Sequence, residues 1–151
     1  MSIYINGRFL LQPQTGVNRF AYEMTKAIIK QDDNIQVIMP YGEVSDDYDV
    51  SDFNIIKVGK YFGRSHLWEQ IILPLYFMIH NGLLLNFTSV GPIFMFNKYI
   101  TIHDLAFIEH PRWYSKAYYL FYRIFTPLSA LTSKQILTVS NFSKSEITSK
   151  L

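Results

Sequence analysis

The sequence predicts an α/β domain built on an open, mainly parallel sheet, and three observations support this class. Short apolar runs alternate with helical patterns along all 151 residues, as in repeated βαβ units. Each run is nearly continuous in apolar character, which is typical of strands buried on both faces. The first run leads through a glycine turn into an amphipathic helix, the usual opening of a βαβ unit. We therefore expect one Rossmann-like domain over residues 1–151, with helices on both faces of its sheet.

Six strands are predicted from short apolar runs bounded by polar or turn-forming residues. They cover residues 3–5, 35–39, 54–58, 83–87, 99–102 and 136–139. The acidic segment 41–52 is interpreted as a solvated loop.

The first helix has the clearest amphipathic pattern. Its apolar residues recur at i, i+3 and i+4, which predicts one buried stripe. That stripe consists of Val17, Phe20, Ala21, Met24, Ala27 and Ile28. Thr15 is the predicted N-cap, and Gly16 would let the backbone turn sharply into the helix.

Two more helices are expected in the middle of the chain. One spans residues 66–81, bent at Pro74 and stopped by Asn81-Gly82. The other runs from Ser115 to about residue 133 and is broken at Pro127.

The last segment carries the pattern of a capping box. Ser143 would cap the helix and Glu146 would reach back to it, with Phe142 and Ile147 as the hydrophobic staple. Because the chain ends eight residues after Ser143 and such short helices are marginal alone, we expect a truncated sequence.

Composition narrows the class of protein. Cysteine is absent, which excludes disulfides and thiolate metal sites and fits a reducing cytoplasm. The first residues do not form a signal peptide, and the longest apolar run, 71–79, is too short to span a membrane. The net charge is +2, and the excess of basic residues lies in residues 61–151. These residues are either ordinary solvated lysines and arginines or a surface that binds an anionic membrane or a phosphorylated ligand. We expect a cytoplasmic protein, peripheral to the membrane at most, with no nucleic-acid partner.

The turn before the first helix is the first candidate site. Free backbone N–H groups and the positive helix end suit an anion there. The candidate binding residues are Thr15, Gly16, Val17, Asn18 and Arg19. One glycine does not make the dinucleotide-binding G-x-G-x-x-G motif, so a purely structural turn remains the alternative.

The second candidate is His103 with Asp104, at the carboxyl end of a predicted strand, where open α/β sheets bind ligands. Asp104 would either orient His103 or cap a turn. The spacing of these residues with Glu109 and His110 fits no known ligand set, so no metal site is expected.

The third candidate is the aromatic and basic stretch over residues 111–125. Amphipathic aromatics beside basic side chains suit a membrane interface or a lipid-linked sugar. A buried helix that supplies core area is the alternative.

Taken in order, several segments resemble the amino-terminal domain of glycosyltransferase family 4, a family of retaining GT-B enzymes. They are Asn6-Gly7-Arg8, Thr15-Gly16-Val17-Asn18-Arg19-Phe20, residues 101–107, His110-Pro111 and residues 137–147. The resemblance covers nearly the whole chain, and its ordered set of motifs is more specific than any one of them.

The resemblance implies two facing Rossmann-like domains with the reaction in the cleft between them. It places Gly16 and its neighbours near the donor phosphates or the acceptor, His103 near the transferred sugar as the catalytic residue, and Ser140 beside the cleft. It implies no metal and no cofactor, since the nucleotide sugar is a substrate. The carboxy-terminal nucleotide-sugar-binding domain is absent from this sequence, so this chain alone is expected to be inactive.

The expected function is transfer of a hexose, as in mannosyltransferase-like enzymes of polysaccharide biosynthesis, from a nucleotide sugar to a surface-glycan or lipid-linked acceptor. The chain would need a carboxy-terminal domain, present in the same protein or as a separate partner. The alternative is a non-catalytic Rossmann-like interaction domain or the inactive fragment of a disrupted gene.

Overall fold

A computed structural model describes residues 2–61 and 65–151. The described residues form one six-stranded sheet in the order β3-β2-β1-β4-β5-β6, and every neighbouring pair is parallel. The strands are β1 Ser2–Asn6, β2 Gln36–Pro40, β3 Ile55–Val58, β4 Gly82–Asn86, β5 Lys98–Thr101 and β6 Gln135–Leu137. The predicted Rossmann-like sheet is confirmed, and each strand lies within two residues of its predicted bounds.

Within the described ranges, five α-helices connect or follow these strands. They are α1 Gly16–Ile29, α2 Leu73–Ile79, α3 Ala106–Glu109, α4 Lys116–Leu131 and α5 Asn141–Lys150. Short 3₁₀ helices cover Arg8–Leu11 and Pro111–Trp113, and a π-helical turn over Trp68–Ile72 runs directly into α2. No helix in the described ranges is both long and apolar enough to cross a membrane.

Helices cover both faces of the sheet because successive strand residues point to opposite sides. Ile5 and Val37 pack in the core beneath α1. Their neighbours Tyr4 and Ile38 pack in a second core with Trp68 of the π-helical turn. This alternation confirms the predicted arrangement of layers.

The chain reverses its direction of travel across the sheet between β1 and β4. It moves outward from β1 through β2 to β3, then returns to β4 and continues outward through β5 to β6. In open α/β sheets this switch point opens a crevice at the carboxyl ends of the strands. The residues that follow β1 and β4 therefore occupy the position where a ligand is expected.

The apolar stripe predicted for α1 is only partly correct. Ala21 is buried, but Val17 and Ala27 are exposed, and Asn18 and Thr25 are buried in their place. Hydrophobic periodicity does not predict the burial of these two polar residues, because each is buried with a hydrogen bond to a nearby backbone carbonyl. The Asn18 amide donates to the Pro13 carbonyl at 3.0 Å, and the Thr25 hydroxyl donates to the Ala21 carbonyl at 2.7 Å.

The predicted break at Pro127 is wrong, whereas the predicted helix stop before β4 is close to the observed one. Helix α4 runs through Pro127 without a break. Proline has no backbone N–H, so the helix tolerates the loss of one internal hydrogen bond at this residue. Helix α2 ends at Ile79, two residues before the predicted stop at Asn81-Gly82, and Gly82 is the first residue of β4. A Cβ there would lie 2.5 Å from the Tyr4 ring, so only glycine allows β4 to pack this closely.

Two predictions about burial are also wrong. The segment 41–52 is not simply solvated, because Tyr48 is buried and its ring meets Phe9 edge-on. The alternative that α4 is a buried core helix fails, since only Thr126 and Ser129 of that helix are buried. Four of its apolar residues instead form an exposed face, and these are Leu120, Ile124, Leu128 and Leu131.

Candidate functional site

The predicted site residues lie along one edge of the sheet. Since all six strands are parallel, the segments that follow their carboxyl ends emerge on the same side. Gly16 begins the helix that follows β1, His103 follows β5, and Ser140 follows β6. The fold therefore brings all three onto one rim.

The amino end of α1 is open to solvent at this rim. Thr15 caps the helix, its hydroxyl accepting the Asn18 N–H at 3.4 Å. Gly16 has no protein atom within 4 Å of the position that a Cβ would take. Val17 and Arg19 are exposed, whereas Asn18 is buried and engaged with the loop before the helix. Of the five predicted residues, Asn18 therefore has a structural role, and the others border open space.

His103 is held by the carbonyl of Phe87, directly after β4, and by Phe20 of α1. Its Nε2 lies 3.0 Å from the Phe87 carbonyl, and its ring meets Phe20 edge-on at 4.9 Å. A carbonyl oxygen only accepts, so Nε2 carries the proton and the neutral ring keeps its lone pair on Nδ1. Asp104 does not orient the histidine but caps the next turn, its Oδ1 accepting the Ala106 N–H at 3.0 Å.

Ser140, and not Ser143, caps the last helix. The Ser140 hydroxyl accepts the Ser143 N–H at 3.0 Å, so α5 begins at Asn141, one turn earlier than predicted. The predicted staple also fails, since Phe142 is exposed while Ile147 is buried. Glu146 pairs with Lys150 and does not reach back to the cap.

A buried polar cluster at the switch point was not predicted from the sequence. The fully buried carboxylate of Glu69 lies 3.0 Å from Arg8 Nε and 2.9 Å from His66 Nδ1. Its second oxygen accepts from the Asn6 amide at 2.7 Å, and that amide also donates to Asn86 Oδ1 at 2.6 Å. The cluster thus joins the ends of β1 and β4 to the π-helical turn.

The electrostatics of this cluster keep Glu69 ionised. Burial by itself raises the pKa of a carboxyl group. For Glu69 the Arg8 charge and the hydrogen bonds from His66 and Asn6 outweigh burial, so its pKa lies below the ordinary value. A buried carboxylate with this many partners is a fixed negative group behind the crevice.

Helix α4 borders the same crevice with aromatic rings. Phe121 packs on the His66 ring at 4.6 Å, and Tyr118 stacks on Tyr122 at 4.2 Å. Burial raises the pKa of Tyr122, although the Tyr118 hydrogen bond and the Arg8 charge act to lower it. Burial also raises the pKa of Tyr118, to which the nearby Asp104 carboxylate contributes. The α4 rings therefore extend from the polar cluster to the segment after β5.

Sequence patterns contained weak signals of this cluster. Asn6 and Asn86 are single amides at the ends of otherwise apolar strands, and Glu69 is an acidic residue inside an apolar helical segment. Their meeting depends on strand order, which local patterns do not reveal. Across the described ranges, no three His, Asp or Glu side chains come together as a metal site.

Comparisons with models of protein families, with curated proteins and with solved structures found no match to this chain.

Proposed function

We propose that this domain is the acceptor-side half of a retaining glycosyltransferase that moves a hexose from a nucleotide sugar to a glycan or lipid-linked acceptor. The observation that carries the proposal is the convergence of Gly16, His103, Ser140 and the Glu69 cluster on the carboxyl rim of the sheet. The amino end of α1 supplies N–H groups for an anion. The histidines supply hydrogen-bonding groups for sugar hydroxyls.

Catalysis would require a second domain facing this rim. Sugar transfer depends on holding donor and acceptor in fixed geometry, a contribution that reaches roughly 7–11 kcal/mol. One wall of a cleft does not supply it. The rim residues would place the acceptor and help the departing diphosphate by electrostatic stabilisation.

The test is sugar transfer by the purified chain, with labelled nucleotide sugars and a membrane extract. We expect no turnover by the chain alone, and activity once a carboxy-terminal nucleotide-sugar-binding domain is supplied as a separate polypeptide. His103→Ala should then abolish transfer, while the exposed His80→Ala on the opposite rim serves as the matched control. Robust turnover by the chain alone, or no turnover with any second domain, would contradict the proposal.

One observation favours the second candidate, a non-catalytic interaction domain. The exposed apolar face of α4 continues into a groove of about 340 Å³ beside α5, lined by Leu131, Ile136 and Ile147. Exposed apolar surface of this kind marks interaction sites. This candidate is favoured if Leu131→Lys abolishes a measured association while no preparation transfers sugar.

A further inference from the structure

His66 presents an imidazole nitrogen that no other group in the described part of the chain uses. Its Nδ1 lies 2.9 Å from the Glu69 carboxylate. An ionised carboxylate only accepts hydrogen bonds, so Nδ1 carries the proton and the neutral ring keeps its lone pair on Nε2. Within residues 2–61 and 65–151, Nε2 has no hydrogen-bond partner.

The surroundings of His66 suit a group that meets a ligand. The His66 side chain is 36% exposed, whereas the Glu69 carboxylate behind it is completely buried. The Phe121 ring forms a wall beside the imidazole. Arg8 also pairs with the Glu69 carboxylate, at 3.0 Å from its Nε. An aromatic-lined crevice with a few fixed polar groups is the usual form of a small-molecule site.

We propose that Glu69 and His66 form a carboxylate–histidine pair whose Nε2 accepts the proton of a hydroxyl group on a bound carbohydrate. The identity of this ligand rests on the proposed function. A base oriented by a buried carboxylate is the arrangement that activates hydroxyl groups in many enzymes. In the transfer step the hydroxyl oxygen bonds to the anomeric carbon of the donor on the face from which the diphosphate leaves, as retention of configuration requires, and its proton moves to Nε2. The bond from that carbon to the diphosphate breaks, and the diphosphate leaves with the electron pair.

His80 is a matched internal control. Its Nδ1 lies 3.0 Å from the Tyr76 carbonyl and its ring stacks on Tyr76 at 4.1 Å, so it has the same tautomer and an aromatic neighbour. It is more exposed than His66, but a neutral carbonyl stands where His66 has a carboxylate. If His66 reacts faster than His80, the cause is therefore the neighbouring carboxylate and not a greater accessibility of His66.

The first test needs no ligand. Nitrogen-15 spectra of the histidines at about pH 8, above the ordinary pKa of imidazole, should show His66 protonated on Nδ1 and His103 on Nε2. Diethyl pyrocarbonate, which acylates unprotonated imidazole, should modify His66 faster than His80, and Glu69→Gln should slow that reaction. An Nε2-protonated His66, or a His66 no more reactive than His80, overturns the proposal even if Glu69→Gln fails to fold.

The second test uses methyl hexosides as probes. We expect them to shift the His66 Nε2 resonance in the native chain. His66→Asn retains an amide N–H for Glu69 but has no basic nitrogen. In a preparation that transfers sugar it should lower kcat by roughly 100-fold or more, while His80→Asn leaves kcat unchanged.

The two proposals fail in different ways. Transfer that persists in His66→Asn overturns the proton-accepting pair and leaves the proposed function standing. A hexoside that shifts other crevice residues but not His66 also overturns it. A shifted Nε2 resonance without transfer from any nucleotide sugar overturns the proposed function and supports proton acceptance from a carbohydrate hydroxyl.

Discussion

At the scale of single residues, the hydrogen-bond partner of each histidine determines which ring nitrogen carries the proton. His66 and His103 are the same residue type on the same rim, but one is held by a carboxylate through Nδ1 and the other by a carbonyl through Nε2. They therefore present different nitrogens to a ligand. Asp104, next in sequence to His103, is occupied by a turn and has no part in orienting it.

Gly16→Ala tests whether the open space at the amino end of α1 exists for folding or for a ligand. We expect the variant to be more stable by about 0.5 kcal/mol, because alanine loses less backbone entropy in a helix and its Cβ meets no protein atom. Urea unfolding measures this. Gly82→Ala is the control and should be destabilised, since its Cβ would overlap the Tyr4 ring. A destabilised Gly16→Ala would show that the turn itself requires glycine.

Lys98 should make stability rise with pH in the alkaline range. Its ammonium group is fully buried, donating to the Met95 carbonyl and the Thr132 hydroxyl, each at 2.7 Å. Burial lowers the pKa of Lys98 from 10.5 to about 8. Between these two values the unfolded chain binds more protons than the folded one, so the free energy of unfolding increases with pH.

The measurement is the difference in unfolding free energy between the native chain and Lys98→Met across this pH range. It should change in favour of the native chain by up to about 3 kcal/mol between pH 8 and pH 10.5, since each pKa unit is worth about 1.4 kcal/mol. Subtracting the variant removes the contributions of the other lysines and tyrosines. A difference that does not depend on pH would mean that Lys98 titrates normally.

At the scale of elements, α4 and α5 show how context sets the ends and faces of helices. Helix α4 is apolar in composition, but it buries only two small hydroxyl residues, Thr126 and Ser129. The Ser129 hydroxyl accepts the Gly91 N–H at 2.9 Å, which fixes the helix against the loop before β5. The larger apolar residues Leu120, Ile124, Leu128 and Leu131 remain exposed.

Ser140→Ala tests which serine caps α5. Loss of the hydroxyl that accepts the Ser143 N–H should cost about 1 kcal/mol. Hydrogen exchange of the amides in α5 measures this loss of stability within the helix itself, because a terminal helix opens without global unfolding. Ser143→Ala is the matched control and should have the smaller effect. If Ser143→Ala proves the more costly, the helix begins where the capping-box pattern places it.

At the scale of the whole molecule, the switch point gathers polar groups from distant parts of the chain. Asn6 and Glu69 are 63 residues apart in sequence, and Asn6 and Asn86 are 80 apart. Their network ties β1, β4 and the π-helical turn together at the centre of the sheet. We therefore expect this site and the stability of the domain to be coupled.

Acid should weaken the domain through Glu69. The folded pKa of Glu69 lies below its ordinary value of 4.5, so its contribution is complete above about pH 4.5 and is lost as pH falls through the folded pKa. Glu69→Gln leaves the buried Arg8 without its carboxylate and should cost about 3–5 kcal/mol at neutral pH.

Chemical denaturation of both proteins from pH 7 to pH 3 measures the effect. The difference between them should shrink at the acid end of this range, as the native carboxylate becomes protonated. A difference that stays constant to pH 3 would show that Glu69 keeps its charge over the whole range. No difference at neutral pH would show that the network contributes nothing to stability.

The sequence by itself determined the class of fold. Apolar runs and helical periodicity depend on neighbours a few residues apart, so they located all six strands and the cap of α1 at Thr15. The parallel direction of the strands, though not their order in the sheet, also follows from the strand–helix alternation. His103 and Gly16 could also be identified from the sequence, because each lies in a segment that follows a predicted strand.

Only the tertiary structure decided which residues meet at the switch point and which faces are covered. Glu69 is buried because Arg8, His66 and Asn6 arrive from other elements to satisfy it, and no local pattern encodes that meeting. The exposure of α4 and the shift of the α5 cap to Ser140 have the same origin. Burial and pairing are set by contacts between residues far apart in the chain, and those contacts exist only once the strands have taken their order in the sheet.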